Sequence, residues 1–486
     1  MRTESDKAMI NEEFYIPCDG ISVHVKLDLP DRDPRADHSR IPMVLAIPGL
    51  TGHMEEPHMV AIAEALPKAG YACLRAELYG HGKSGGSFHD HTLFHWALEL
   101  MDLIDYARGL DYVSELYLCG HSQAGAAAVL GAGLEPDKLD GLILLAPAML
   151  IREVSYSGGF PVRFFDPEHI PDETLVFDSA PISGHYYRVN RLLPFEDAIR
   201  LYGGKPVLVG HSPTDELVPY ECGVRTAEAY QNAEMFTSGN DDHCFAAHID
   251  QVTGKMVAFL NSISKDPASY RYLLFDLDGT LTDPKEGITK SVQHALRHFG
   301  IDVADPDTLT PYIGPPLIPS FMEFHGLRRE QAQEALLVYR ERFSTVGLFE
   351  NEVLEGIPEM LRALKEKGRF LAVASSKPEE YVRRILEHFD LLQYFDEVVG
   401  ASMDEKRSAK KDIIEEALRR MGKSAGDPEV LMIGDRKHDV EGARLCGLDS
   451  LAVYTGFAPQ GELEEAGATF IFRTIGEMAE FLVGSS

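Results

Sequence analysis

A serine in a tight strand-to-helix turn is the first residue of this chain that could do chemistry. Ser122 lies in Gly120-His-Ser-Gln-Ala124, after an apolar stretch that predicts a strand and before small residues that predict a helix. A serine at such a turn projects its hydroxyl from the sheet edge, and its neighbours two positions away must be small because backbone meets backbone there. Ala124 stands where this motif usually has glycine. The turn predicts Ser122 as a nucleophile.

An acid and a base for this serine follow later in the chain. Asp215 comes after the predicted strand 206–209, and His243 comes after the stretch 234–237. A serine hydroxyl becomes nucleophilic when a histidine takes its proton, and a carboxylate fixes the tautomer of that histidine. Taken singly, the two residues are equally explained as a turn aspartate and a core or capping histidine. The order serine, aspartate, histidine at strand ends favours a catalytic triad.

Acyl transfer also needs hydrogen-bond donors for the oxyanion of the tetrahedral intermediate. The backbone N–H of Gln123, directly after the serine, supplies the first donor. We expect the second from the loop Ile47-Pro-Gly-Leu-Thr-Gly-His53, where the N–H of Leu50 follows an early strand.

Two aspartates two positions apart predict a second reaction. Asp276 and Asp278 end the strand 272–275 in Asp276-Leu-Asp-Gly-Thr280. Alternate residues of a strand point the same way, and Gly279 lets the chain turn close to a ligand. Asp276 is the candidate nucleophile toward phosphorus, and Asp278 is the candidate acid for the leaving oxygen and base for water. Carboxylates that face a phosphate require a cation, so Mg²⁺ is the predicted cofactor.

Polar residues at later strand ends complete this phosphoryl site. Ser375 follows an apolar strand and offers phosphate a hydroxyl and an N–H, and Lys410, with Lys411 as its rival, can balance the negative charge. Asp435 and Asp439 follow another strand in Gly434-Asp-Arg-Lys-His-Asp439. The predicted metal ligands are Asp276, Asp278, Asp435 and Asp439, the last as a ligand or as support behind the ligands.

Apolar runs that alternate with longer helix-like stretches predict a parallel α/β architecture in both halves. The stretch 147–204 holds no clean strand, and we interpret it as a lid over the carboxyl edge of the first sheet. The polar segment 263–269 separates domain 1–262 from domain 270–486, in which the helical stretch 287–354 is interpreted as a cap. The predicted strands include 43–47, 72–78, 115–119, 142–145 and 206–209, then 272–275, 370–374, 430–433 and 451–454.

The composition narrows the functional classes. The 486 residues include 46 Lys+Arg and 77 Asp+Glu, a net charge of −31 that disfavours nucleic acid and anionic membranes as partners. The N-terminus has no apolar signal segment, apolar runs are too short to span a membrane, and the six cysteines form no C-x-x-C pair. We expect a cytoplasmic protein with reduced thiols that acts on small molecules, in an oligomeric state that stays open. Spacing predicts no metal site among His53, His58, His81, His89, His91 and His95.

Several stretches of the first half match one family together. They are Gly49-Leu-Thr-Gly-His53, Gly80-His-Gly-Lys-Ser84, Gly120-His-Ser-Gln123, Phe165-Asp-Pro-Glu-His-Ile-Pro-Asp172, Tyr186-Tyr-Arg-Val189, Asp215-Glu-Leu-Val-Pro219 and Asp242-His-Cys-Phe245. With them, residues 12–261 resemble the α/β-hydrolase superfamily, and within it the cinnamoyl and feruloyl esterase branch. The resemblance implies a lid that closes over an aromatic acyl group, with Tyr186 at its phenolic end. Pro48 replaces the histidine usual before the oxyanion glycine. Because the oxyanion donor is a backbone N–H, this replacement should adjust the loop without removing the donor.

The motifs D-x-D-G-T at 276–280 and G-D-x-x-x-D at 434–439 together resemble the haloacid dehalogenase superfamily over about residues 270–484. The resemblance implies a Rossmann-like phosphatase domain with a helical cap that sets substrate choice. The cap stretch Tyr312-Ile-Gly-Pro-Pro-Leu317 resembles the phosphoglycolate phosphatase and 5′-nucleotidase-like branch.

The sequence therefore predicts a bifunctional hydrolase. One half is expected to be a serine carboxylesterase for cinnamoyl- or feruloyl-type esters, and the other a Mg²⁺-dependent phosphomonoesterase for small phosphorylated metabolites. Two alternatives stay open: one half is a non-catalytic binding or scaffolding module, or the two sites are an acyltransferase and a phosphomutase.

Overall fold

The computed structural model describes residues 10–158, 165–403 and 407–484. These residues divide into two compact units, the first ending at Ser264 and the second beginning at Lys265. Positions 159–164 of the proposed lid lie outside the described residues. In the described part of the chain, every helix is too short or too polar to cross a membrane.

The first unit is built on a mixed sheet with helices on both faces, which confirms the predicted α/β class. Its strands are β1 (Ile10–Cys18), β2 (Ile21–Leu29), β3 (Ile41–Ile47), β4 (Ala72–Glu77), β5 (Val113–His121), β6 (Gly141–Leu145), β7 (Glu173–Val176), β8 (Ala180–Ser183), β9 (Val207–His211) and β10 (Ala233–Thr237). Its helices are α1 (Pro34–Asp37), α2 (Pro57–Lys68), α3 (Leu93–Arg108), α4 (Gln123–Leu134), α5 (Ile151–Ser157), α6 (His185–Asn190), α7 (Phe195–Tyr202), α8 (Tyr220–Ala229) and α9 (Ile249–Ser264). Among the described residues the main sheet has the order β1-β2-β4-β3-β5-β6-β9-β10, parallel from β4 onwards.

Strand β3 shows how the core of this unit forms. Met43, Leu45 and Ile47 belong to the core that includes buried residues of α3 and α4, whereas Val44 and Ala46 belong to the core that includes residues of α2 and α9. Successive side chains of a strand point to opposite faces. Because helices cover both faces, a central parallel strand is a continuous apolar run.

The edge hairpin β1–β2 is not among the strands predicted from the sequence. It turns at Asp19 and Gly20, whose φ angles are 42° and 79°. An Asp-Gly pair suits this two-residue turn because both central residues need positive φ. The Asp19-Gly20 dipeptide was therefore the sequence signal from which this hairpin could have been predicted.

The proposed lid contains a second hairpin, which corrects the expectation that this stretch has no clean strand. β7 and β8 pair antiparallel and are four residues long each, with Pro181 inside β8. They turn at Phe177 and Asp178, both with positive φ although neither is glycine. Short strands, an internal proline and a turn without glycine remove the usual sequence signals of a hairpin.

The second unit is built on a parallel sheet, as predicted. Its strands are β11 (Tyr272–Phe275), β12 (Thr282–Asp283), β13 (Glu352–Val353), β14 (Phe370–Pro378), β15 (Glu397–Ala401), β16 (Val430–Gly434), β17 (Asp449–Val453) and β18 (Phe470–Phe472). Its helices are α10 (Lys285–His298), α11 (Leu317–His325), α12 (Arg329–Arg342), α13 (Ile357–Glu366), α14 (Glu379–His388), α15 (Lys410–Met421), α16 (Lys437–Leu445), α17 (Glu462–Glu465) and α18 (Ile475–Val483). Among the described residues the main sheet has the order β15-β14-β11-β16-β17-β18.

The stretch proposed as a cap leaves and returns through paired strands. β12 and β13 are antiparallel neighbours, and α10, α11, α12 and a π-helical segment at Phe343–Gly347 lie between them in the chain. This pairing holds both ends of the insertion next to the carboxyl end of β11.

Candidate active sites

Ser122 occupies a strained turn between β5 and α4. Its φ is 56° and its ψ is −122°, a conformation that side-chain-bearing residues rarely adopt. A Cβ added at Gly120 would lie 2.3 Å from the carbonyl oxygen of Ala124, so the −2 position has room only for glycine. Ala124 itself is fully buried within α4. The departure from the usual motif therefore falls on a position that accepts a methyl group.

Asp215 and His243 form the hydrogen-bonded pair that the triad requires. Asp215 Oδ2 lies 2.7 Å from His243 Nδ1, and Asp215 Oδ1 accepts hydrogen bonds from the N–H groups of Leu217 and Val218. His243 and Ser122 line the same pocket. Asp215 lies behind His243, with its side chain fully buried.

A second histidine holds the same carboxylate, and the sequence analysis did not identify it. Nε2 of His211, the last residue of β9, lies 3.2 Å from Asp215 Oδ2. Burial opposes ionisation of Asp215, but hydrogen bonds with His211 and His243 hold its pKa below the ordinary range. His211 lies four positions before Asp215 in the chain, and this spacing was the only sequence signal for the contact.

The pocket brings together the predicted oxyanion donors and Tyr186. Leu50, Gln123 and Tyr186 line it together with the nucleophile and base. Gln123 is the first residue of α4, so its N–H has no acceptor within the helix. The stretch proposed as a lid supplies apolar and aromatic walls, namely Leu150, Ile151, Val154, Val176, Phe177, Tyr186 and Tyr187.

Two neighbouring tyrosines of α6 differ in the hydrogen bonding of their hydroxyl groups. The Tyr186 hydroxyl donates to Gln123 Oε1 at 2.5 Å, and Gln123 Nε2 lies 3.1 Å from His91 Nε2. The Tyr187 hydroxyl is buried and has no hydrogen-bond partner among the described residues. Tyr186 therefore positions Gln123, while the buried hydroxyl of Tyr187, a residue that lines the pocket, stays unpaired among the described residues.

In the second unit, the sheet order gathers the predicted phosphoryl residues. β11 lies between β14 and β16, and all three are parallel. The carboxyl ends of these three strands carry Asp276, Ser375 and Asp435, which therefore lie at the same edge of the sheet. Gly279 has a φ of 82°, and a Cβ there would lie 2.2 Å from Asp435 Oδ2, which explains the glycine of the first motif.

Three of the four predicted metal ligands converge. Oxygen atoms of Asp276, Asp435 and Asp439 all lie within 4.8 Å of one another. Burial and the charges of Asp439 and Asp276 raise the pKa of Asp435 well above its usual value. Buried carboxylates that crowd in this way fit a hard divalent cation such as Mg²⁺.

Lys410 is the lysine that joins this cluster. Its Nζ lies 2.9 Å from Asp276 Oδ1 and 2.5 Å from Asp439 Oδ1. Burial disfavours its charge, but the two carboxylates keep the pKa of Lys410 above its usual value. Lys411 points elsewhere: its side chain is 44% exposed and pairs with Glu415. The structure thus places Lys410, and not its neighbour Lys411, beside the acidic cluster.

Asp278 stands apart from the acidic cluster. Its Oδ1 lies 2.7 Å from Lys377 Nζ. Burial raises the pKa of Asp278, although Lys377 acts in the opposite direction. Asp278 does not belong to the converging group of carboxylates, and its predicted roles as proton donor and as metal ligand both stay predictions. Lys377 is a site residue that the sequence analysis missed, two residues after Ser375.

The second pocket extends from these residues to the cap. Asp276, Asp278, Ser375, Lys410 and Asp439 line its polar end. Residues of the stretch proposed as a cap line the rest with apolar and aromatic groups, among them Ile288, Tyr312, Leu317, Ile318, Tyr339 and Phe343.

Comparison with known proteins matches each unit to a hydrolase family. A family model for haloacid dehalogenase-like hydrolases matches residues 273–453, and a model for serine aminopeptidases of the S33 type matches residues 39–165.

Individual relatives each match about half of the chain. A 5′-nucleotidase of Pseudomonas aeruginosa is 46% identical over 198 residues, which are 40% of this chain and 89% of that protein. Tyrosine-protein kinase PtkA of Mycobacterium tuberculosis is 39% identical over 217 residues, 44% of this chain and 73% of that protein. The structure of Est1E from Butyrivibrio proteoclasticus with bound ferulic acid is 42% identical, with 51% of this chain and 97% of that chain covered and a TM-score of 0.49.

Proposed function

Because the chain belongs to the α/β-hydrolases through its first unit and to the haloacid dehalogenase-like hydrolases through its second, we propose that it hydrolyses two kinds of ester. The first unit cleaves carboxylic esters with an aromatic acyl group at Ser122. The second unit cleaves small phosphomonoesters at Asp276 with Mg²⁺. The observation that carries this proposal is that each of the two pockets contains its own nucleophile and proton-transfer group.

In the first unit, Ser122 Oγ attacks the ester carbonyl carbon while His243 takes the hydroxyl proton. The oxyanion accepts hydrogen bonds from the backbone N–H groups of Gln123 and Leu50. His243, held in one tautomer by Asp215, gives the proton to the leaving alcohol. It then deprotonates the water that cleaves acyl-Ser122 and releases the acid.

In the second unit, an Asp276 carboxylate oxygen attacks phosphorus, and the bond to the alcohol oxygen breaks. Asp278, whose raised pKa favours its protonated form, protonates that leaving oxygen. Asp278 then takes a proton from the water that attacks phospho-Asp276 and releases phosphate. Ser375 and Lys410 bind the phosphoryl oxygens. Asp276, Asp435 and Asp439 would hold Mg²⁺, which would supply positive charge against the phosphoryl oxygens.

The lining of the first pocket supports an aromatic acyl group. Phe177, Tyr186 and Tyr187 line it together with aliphatic side chains of α5, and such walls stabilise an aromatic ring through apolar contact. Tyr187 supplies the hydroxyl that can recognise a phenolic group.

Two nucleophile variants test the proposal in the full chain. Ser122→Ala should abolish hydrolysis of feruloyl esters and leave phosphoester hydrolysis at the level of the unmodified chain, and Asp276→Asn should do the reverse. Single-turnover assays of both variants with both substrate types provide the measurement. Loss of both activities in one variant would contradict the independence of the two reactions, and absence of ester hydrolysis in the unmodified chain would contradict the ester proposal itself.

A further inference from the structure

Three side chains that are distant in sequence meet beside the first pocket. His58 lies in α2, His121 ends β5, and Cys244 follows His243 in the loop after β10. One ligand atom of each lies within 4.8 Å of the others. The rings of His58 and His121 are 4.4 Å apart between centroids. Sequence spacing gave no indication of this group, because each member comes from a different element.

The two imidazoles have buried nitrogen atoms without hydrogen-bond partners. Both nitrogens of His58 and Nδ1 of His121 have none in the part of the chain that the structure describes. The two residues are 2% and 3% exposed. Glu56 Oε2 lies 3.7 Å from His58 Nε2, which exceeds hydrogen-bond distance. Buried polar atoms without a hydrogen-bond partner destabilise the fold. A ligand bound between these imidazole nitrogens and Cys244 would give them a partner.

We propose that His58, His121 and Cys244 form a binding site for a thiophilic divalent cation of the zinc type. Two imidazoles and one thiolate are a ligand set that Zn²⁺ prefers, and three protein ligands leave a coordination position open. Ligand atoms around tetrahedral Zn²⁺ lie roughly 3.3–3.8 Å apart, a separation that falls within the 4.8 Å limit on the distances between these atoms. The Cys244 thiol loses its proton to solvent when the metal–sulfur bond forms.

The protonation states of the two histidines suit metal binding. Burial lowers the pKa of His58 to about 4 and that of His121 well below its usual value. Both rings are therefore neutral at physiological pH and offer lone pairs. The cluster lies beside the acidic pocket residue Glu56, whose carboxylate adds favourable charge for a cation.

A cation at this site inhibits ester hydrolysis, a consequence that rests on the proposed function. His121 Nε2 lies 2.9 Å from the carbonyl oxygen of His243, and the two rings are 4.7 Å apart. Positive charge this close disfavours the imidazolium form that His243 has to adopt during catalysis.

Cobalt titration tests the site without reference to activity. Co²⁺ is added to the metal-depleted full chain in the presence of saturating Mg²⁺, which occupies the aspartate cluster. We expect a near-ultraviolet thiolate-to-Co²⁺ charge-transfer band that saturates at one equivalent and disappears on addition of Zn²⁺. Cys244→Ser should eliminate the band, and His58→Gln should weaken Co²⁺ binding at least tenfold. Cys222→Ser changes another half-buried cysteine of the same unit and should leave the band intact.

The outcomes test the existence of the metal site separately from its effect on ester hydrolysis. Absence of a thiolate band in the unmodified chain, or an equal band in Cys244→Ser, overturns the site whatever the esterase does. With the site present, Zn²⁺ should reduce feruloyl ester hydrolysis at least tenfold, reversibly by chelator, and His58→Gln should require at least tenfold more Zn²⁺. A cobalt band without inhibition overturns the proposed effect on His243.

Discussion

Lys377 Nζ lies 2.7 Å from Asp278 Oδ1 at the carboxyl edge of the second sheet. The same ammonium group stands 4.9 Å from the centre of the Phe343 ring, in the π-helical segment of the cap stretch. One lysine therefore contacts both the proposed general acid and the proposed cap. It positions the Asp278 carboxyl group, which otherwise has Asp276 as a like-charged neighbour.

Lys377→Met should reduce kcat for phosphomonoester hydrolysis about 100-fold, since general acid–base catalysis contributes roughly 10²–10⁴-fold. Without the ammonium group, the Asp278 carboxyl loses its orientation and its pKa rises further. The measurement is the pH profile of kcat, whose limb for Asp278 should move to higher pH. Lys377→Arg should restore part of the rate, and a Met variant with an unchanged profile would argue against a positioning role.

The choice between two adjacent lysines is tested by a matched pair of variants. Lys410→Met should abolish phosphoester hydrolysis because the buried carboxylates of Asp276 and Asp439 lose the ammonium group that balances their charge. Lys411→Met should retain nearly full activity because that side chain pairs with Glu415 at the surface. Steady-state kinetics and circular dichroism of both variants provide the check. Equal losses in both would refute the assignment to Lys410.

Asp215→Asn should lower kcat for ester hydrolysis about 10³-fold, because an amide no longer fixes the His243 tautomer or stabilises its imidazolium form. Asp242→Asn serves as the control in the loop that carries His243, where the Asp242 carboxylate accepts hydrogen bonds from the N–H groups of Cys244 and Ala246. We expect the control to lose less than tenfold. A comparable loss in both variants would indicate that loop structure, and not the triad, accounts for the effect.

Tyr187→Phe should reduce the preference for feruloyl over cinnamoyl esters about tenfold, the effect of about one hydrogen bond to the phenolic group. Tyr186→Phe should lower kcat for both esters alike, since its hydroxyl contacts Gln123 and not the open pocket wall. Competition between the two esters measures the ratio of their kcat/KM values. A preference that depends on Tyr186 alone would return the phenolic contact to that residue.

The first unit should lose stability in mild acid. Burial lowers the pKa of His91 to about 3, whereas an unfolded histidine has a pKa of about 6.5. The unfolded state binds the proton first, so this contribution is fully present above about pH 6.5 and is lost as pH falls toward 3. Between pH 7 and pH 5 it costs about 2 kcal/mol.

Urea unfolding at the two pH values, followed by fluorescence of the single tryptophan, Trp96 in α3, reports this unit. His91→Asn should reduce the difference in unfolding free energy between pH 7 and pH 5 by about 2 kcal/mol. His89→Asn, which changes a half-exposed histidine, should not change it. An unaltered pH dependence in His91→Asn would exclude His91 as its source.

By itself the sequence determined the α/β class and the two hydrolase families, because strand periodicity and the motifs at strand ends are local properties of the chain. It also placed Ser122 and Asp276 at turns where a nucleophile can act. These inferences need only neighbouring residues and the rule that carboxyl ends of parallel strands share an edge.

Tertiary structure alone decided which side chains pair across elements. The contact of Lys377 with Asp278, the support of Asp215 by His211, and the choice of Lys410 over Lys411 depend on strand order and on rotation about helix axes. The β7–β8 hairpin depends on a turn without glycine, and the meeting of His58 with Cys244 joins residues 186 positions apart. Such pairings are set by packing of distant segments, for which a single sequence carries no periodic signal.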